Sequence, residues 1–259
     1  MEKPKISVAL ATFNEEENIG ACLESARYLA EEIVVVDGGS TDKTVKIAQK
    51  HGAKVIATTN KPIFHINKQM AIDACIGDWI LQLDADEQLT PELRQEILAT
   101  IVKTKFNGFW LPRKNYFLGR CLTKGGQYPD YTLRLYRRGK GGLPCKSVHE
   151  QAVVDGKVGW LKNDLLHYPF PDFLEYLNKA NRYASLVADE YKEQNVGTGF
   201  SSTIKYLLII PKLTFFSLYI RHRGFADGFP GFVFALFSAI QKAAAYVRYW
   251  EIVHVKKIH

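Results

Sequence analysis

The side chains best placed to do chemistry lie in Asp84-Ala85-Asp86-Glu87, directly after the apolar run Ile80-Leu81-Gln82-Leu83. Read as the end of a strand, this stretch puts Asp84 and Asp86 on one side of an extended backbone. Two carboxylates held close repel each other unless a positive charge sits between them. Mg²⁺ or Mn²⁺ suits that position, because hard cations take oxygen ligands and keep places open for phosphate oxygens. The expectation is therefore a metal at residues 84–86 that grips a nucleotide diphosphate. Alone, the motif also fits a solvated acidic turn ahead of a helix capped at Thr90-Pro91-Glu92.

The elements around it must present those acids. Ile6 to Ala11 reads as a first strand, followed by Thr12-Phe13-Asn14-Glu15-Glu16-Glu17, with Asn14 and Glu17 spaced as a capping box. Ile19, Cys22, Leu23 and Ala26 then recur at helical spacing. Ile33 to Val36 is a second strand ending in Asp37-Gly38-Gly39-Ser40-Thr41-Asp42, where glycine permits a tight turn and Asp42 can cap a helix. A third strand over 53–57, a helix over 67–75 and a helix from Pro91 complete the pattern. Such alternation predicts βαβ units and a parallel sheet, with ligands beyond the carboxyl ends of the strands. Thr12, Asp37 and Asp84 all fall there. A nucleoside would sit between the first two turns and its diphosphate at the third. No Gly-x-Gly-x-x-Gly or Walker lysine loop follows the first strand, which disfavours dinucleotide and P-loop readings.

Charge is distributed unevenly along the 259 residues. The net +7 is concentrated in residues 200–259, where eight Lys/Arg face only Asp227 and Glu251. A basic quarter that is also apolar and aromatic points to an anionic membrane surface rather than to nucleic acid. After helical patterns from Pro171 and a hinge at Gly197-Thr198-Gly199, two apolar stretches run over 206–220 and 229–245. Pro211-Lys212 and Gln241-Lys242 interrupt them, so neither reads as the roughly 20 apolar residues of a span. Lys205 and Lys212 share a helical face, as in helices lying in the headgroup layer. The alternative is a helical pair buried on the catalytic domain or on a second subunit of a homo-oligomer. The cysteines, at 22, 75, 121 and 145, have no ligand spacing and read as reduced thiols. Met1-Glu2-Lys3-Pro4-Lys5 does not read as a secretory leader.

The three turns 11–16, 36–44 and 83–87, in order and at this spacing, resemble the signature of family-2 inverting glycosyltransferases. The resemblance implies an α/β, Rossmann-like GT-A fold, a mostly parallel sheet flanked by helices, over residues 1–170. Residues 171–259 would be a helical, membrane-associating extension. It implies donor contacts from Thr12, Asn14, Glu16, Asp37 and Asp84, with Lys68 and Arg134 near the phosphates. Gly38 stands where many members carry a second Asp, and Lys68-Gln69 where Arg-Asn is common. It further implies Asp84, Asp86 and a downstream histidine, His167, around the metal. An acidic base past the metal motif would take the acceptor's proton. Glu150 in Ser147-Val148-His149-Glu150 is the first candidate, Asp130 the second and Asp155 the third, with His149 orienting the base or the acceptor. A salt-bridging Glu150 and a core histidine at 167 are the structural alternatives.

Asp-Ala-Asp-Glu, Tyr136-Arg137-Arg138, Val148-His149-Glu150 and the segment Gly224 to Phe232 together look like the bacterial lipopolysaccharide-core β-glycosyltransferases. That resemblance implies a UDP-sugar donor, with hexose transfer to a lipid-linked, phosphorylated glycan at the cytoplasmic face of the inner membrane. Rival readings are transfer to a polyprenyl phosphate, which needs no base, and a non-catalytic glycan- or lipid-binding scaffold. A nucleotidyltransferase ranks behind them, because no Gly-rich basic loop follows the first strand.

Overall fold

A computed structural model describes residues 3–146 and 150–255, so His149 lies outside the described residues. The chain forms two units, 1–113 with 130–167, and 114–129 with 168–259. The second unit thus takes in residues 114–129, which the sequence assigns to the catalytic region.

The first unit is built on β1 (Ile6–Thr12), α1 (Ile19–Ala26), β2 (Glu32–Asp37), α2 (Thr44–Lys50), β3 (Lys54–Ala57), α3 (His65–Asp73), β4 (Trp79–Gln82), β5 (Glu87–Leu89) and α4 (Pro91–Val102). It continues through β6 (Gly108–Phe117), whose far end enters the second unit with β7 (Arg120–Cys121). Then come β8 (Asp130–Arg137), β9 (Gly141–Gly142), β10 (Val153–Val154), β11 (Val158–Trp160) and β12 (Leu165–His167). The main sheet runs β3-β2-β1-β4-β8-β6-β12-β5. Its first four strands are parallel, while β8 pairs antiparallel with β4 and β12 antiparallel with β5.

The apolar runs follow from burial on both faces. Val8 and Leu10 of β1 point into one core with Ile19 and Leu23 of α1 and Leu93, Ile97 and Ile101 of α4. Ala9 between them faces the other core with Val34, Val36, Ile80 and Ala71. Thr90 caps α4, its Oγ1 accepting from Leu93 N at 3.1 Å, with Pro91 at the first helical position.

Two local expectations fail. Asn14 does not cap α1, which starts at Ile19 behind Asn18; it sits at φ 55° and turns its side chain to the second loop. Asp84 and Asp86 are not on extended backbone either. β4 ends at Gln82, and Glu87 N donates to Asp84 O at 3.0 Å, closing a turn.

The second unit is helical apart from the β6–β7 hairpin. α5 (Phe173–Glu193) is capped by Asp172, whose Oδ1 accepts from Glu175 N at 2.8 Å. α6 (Phe200–Arg221) includes π turns at Lys205–Ile209 and Ser217–Arg221. A 3₁₀ turn at Gly224–Asp227 leads into α7 (Gly228–His254). Phe117, Leu122, Tyr176 and Val233 form its core, joined by Phe173, Phe234 and Phe237. Pro211 sits in the first turn of an α-helical segment within α6 and does not stop the run. By length and composition, α6 and the helix from Gly224 to His254 are each apolar enough to cross a membrane, contrary to the expectation from their interruptions.

Candidate active site

The first two turns are sewn together. Thr41 N donates to Asn14 Oδ1 (2.9 Å) and Asn14 N to Ser40 Oγ (2.8 Å). Glu15 N donates to Thr44 Oγ1 (2.7 Å), Glu16 N to Asp42 Oδ2 (3.1 Å) and Lys43 N to Glu16 Oε2 (3.1 Å). These bonds explain why Asn14 leaves the helix start. Asp37 is buried and accepts from Gly39 N (3.0 Å), Ser40 N (2.8 Å) and Thr12 Oγ1 (3.2 Å). Thr12, Asn14, Glu16 and Asp37 are therefore brought together as expected, with their polar groups engaged in shaping the turn.

At the end of β4 the acids meet cations. Lys68 Nζ and Arg134 Nη2 both ion-pair with Asp84, the arginine at 2.5 Å. Burial alone would raise the Asp84 carboxyl, but Arg134 and Lys68 reverse this and hold it well below the usual carboxylate range. Lys68 reaches this place from α3 and Arg134 from β8, the antiparallel neighbour of β4.

Glu87 is the residue that sequence reasoning missed. Its side chain is 0% exposed. Glu87 Oε1 accepts from Arg134 Nη2 (2.8 Å) and Arg113 Nη1 (3.1 Å), and Oε2 accepts from Asp84 N (2.9 Å). Arg113 also grips Asp130 through Nε (2.9 Å) and Nη2 (2.7 Å). A signal was available at Arg134: an arginine inside a strand pattern needs buried counter-charge. Three carboxylates, two guanidiniums and an ammonium thus form one connected network.

Asp86 and His167 stand together, with Nε2 3.5 Å from Oδ2 and both side chains largely buried. Asp84, the third expected member, has its oxygens engaged by Lys68 and Arg134. Among the described residues no group of three His, Cys, Asp or Glu side chains forms a metal site. The Asp86–His167 pair is a donor set that suits a divalent cation whose remaining places are filled by water and phosphate oxygens.

The three candidate bases differ in surroundings. Asp130 is claimed by Arg113. Asp155 pairs with Lys140 at 2.8 Å on a side chain 77% exposed. Glu150 is half-buried, and both of its oxygens accept from Lys146 N, at 3.0 and 2.9 Å.

A mostly parallel first half of the sheet, with interlocked turns at its carboxyl edge and acids beside cations, is the setting of a transferase, and the relatives give the class. Residues 7–154 match the family described as Glycosyl transferase family 2. The lipopolysaccharide core biosynthesis glycosyltransferase LpsC of Rhizobium meliloti (strain 1021) is 33% identical, covering 92% of this chain and 89% of its own. A glycosyltransferase of Rickettsia typhi, RT0209, is 30% identical over 92% of this chain and 84% of its own. The chain belongs to glycosyl transferase family 2. Its fold is of the GT-A type. The crystal structure of S. aureus TarS is similar at a TM-score of 0.51 and 20% identity, over 92% of this chain and 49% of that one.

Proposed function

We propose that the protein transfers a hexose, glucose in the first instance, from a UDP-sugar to a lipid-linked glycan such as a lipopolysaccharide inner core. The observation that carries this is the meeting of Lys68 and Arg134 at the carboxyl end of β4. Negative charge develops on the departing diphosphate, and fixed cations there favour its departure. Likeness to LpsC supports the acceptor class. Thr12 and Asp37 hold the shape of the nucleoside turn. Asp86 and His167 would hold Mg²⁺ or Mn²⁺, which when bound supplies Lewis-acid stabilisation of the diphosphate.

The acceptor hydroxyl oxygen forms a bond to the anomeric carbon. The anomeric carbon–oxygen bond breaks, and its electron pair leaves with UDP. Glu150 takes the hydroxyl proton. Attack from the face opposite the leaving group inverts the anomeric configuration. The basic, apolar C-terminal unit supports a peripheral position on the anionic cytoplasmic face of the inner membrane.

The test is a product assay with a panel of UDP-hexoses and deacylated core acceptors, with and without Mn²⁺. Asp86→Ala should lose at least about a hundredfold in turnover while keeping its circular dichroism. Wild-type turnover in that variant would exclude a metal-assisted reaction. Glu150→Gln should be inactive; full activity on a polyprenyl phosphate instead would favour an acceptor that arrives already ionised.

A further inference from the structure

Within the second unit, the hairpin loop 118–126 is fastened onto the corner between α6 and α7. Asp227 is the fastener. It is 1% exposed. Its Oδ1 accepts from Thr123 Oγ1 (2.8 Å) and Thr123 N (3.2 Å), and its Oδ2 accepts from Lys124 N (2.8 Å). Gly125 N donates to His222 O at 2.9 Å and Arg120 Nη2 to Ala226 O at 3.4 Å. The corner admits no bulk at two glycines. A Cβ on Gly231 would lie 2.1 Å from Gly224 O, and one on Gly224 would lie 2.7 Å from Leu218 O.

What this rigid corner displays is cationic and aromatic. Arg120, Lys124, Arg221, His222 and Arg223 are all exposed. Phe225 and Phe229 are exposed beside them, Phe229 at 71%. The only carboxylate in 200–250 is Asp227, and it is consumed underneath by hydroxyl and amide donors. The outer face is thus left with positive charge and apolar rings, which are the two components of interfacial binding.

We infer that this corner, the hairpin loop with residues 221–229, is the surface by which the protein docks on an anionic lipid bilayer, with Phe225 and Phe229 entering the interface and the arginines meeting lipid phosphates. The inference rests on the peripheral-membrane reading above and goes further by placing the contact here rather than on the Lys205–Lys212 face of α6. Charge complementarity selects a bilayer, because a protein partner would require acidic groups matched one by one to four flexible cations, Arg120, Lys124, Arg221 and Arg223. It gives the motif from Gly224 to Phe232 a physical role: glycines for close packing, the acid for fastening and the aromatics for lipid.

The experiment is co-sedimentation of the full chain with vesicles of phosphatidylcholine, with and without 30 mol% phosphatidylglycerol, on the order of the anionic content used to mimic such surfaces. Wild type should bind only the anionic vesicles and release at high salt. Arg221→Gln/Arg223→Gln should bind roughly thirty-fold more weakly, at about fivefold per basic residue. Lys205→Gln/Lys212→Gln should change binding much less. Turnover on a deacylated, water-soluble acceptor should be unchanged in both. Phe229→Trp should gain fluorescence that brominated lipids quench, a reading that does not depend on loss of binding. Binding by wild type that the lysine pair abolishes and the arginine pair leaves intact would overturn the inference while sparing the membrane reading. No binding by wild type would remove both. Pelleting that persists through high salt and carbonate would indicate insertion of the helices and would also overturn it.

Discussion

Glu87 shows how a buried acid sets the rules for its neighbours. It faces two guanidiniums with its side chain 0% exposed, so removing its charge leaves Arg113 and Arg134 with less compensation. Breaking such a pair typically costs about 3–5 kcal/mol. Glu87→Gln should therefore lower the unfolding free energy by that amount, read as a lower urea midpoint, and loss of activity should accompany loss of fold. Asp84 has a different signature. Its folded carboxyl titrates below the ordinary range because Arg134 and Lys68 outweigh burial. As pH falls, the unfolded chain takes up the proton first, so the stability Asp84 contributes is full at neutral pH. It is lost as pH drops below about 4, toward the depressed folded value. Asp84→Asn should be less stable at pH 7 and should show a shallower acid limb in denaturant titrations between about pH 4 and 2.

At the scale of elements, the site depends on loops that hold each other. The β1 and β2 turns exchange five hydrogen bonds described above, so each is the other's cap. Local pattern suggested a capping box at Asn14 because the residue spacing matches one. The tertiary partner at Thr41 offered a better use of the same side chain. The α6–α7 corner depends on close backbone approach instead. Gly231→Ala would force the chain apart by more than an ångström, and it should cost more than about 2 kcal/mol in thermal unfolding. Thr90→Ala should cost about 1 kcal/mol through loss of the α4 cap, with activity kept at permissive temperature.

Over the whole molecule, binding and stability are linked. A ligand that binds only the folded chain stabilises it by about 2.7 kcal/mol at a hundred times its dissociation constant. UDP with Mn²⁺ should raise the melting temperature more than UDP alone. Asp86→Ala and His167→Ala should lose the metal-dependent part and keep the rest. An equal metal increment in both variants would remove the Asp86–His167 site.

The order of strands and helices through α4 except for β5, the placement of Thr12, Asp37 and Asp84 at strand ends, and the basic C-terminal quarter were legible in the sequence. They depend on periodicity and local composition, which sequence carries directly. Which carboxylate faces which cation was not legible. Asp84 is paired with Lys68 and Arg134 from elements 16 and 50 residues away, and Glu87 is buried between arginines 26 and 47 residues downstream. The same holds for Asp227, whose partners lie 103 and 104 residues back. Charge pairing is decided by proximity in space, and only the folded sheet brings those side chains within reach of one another.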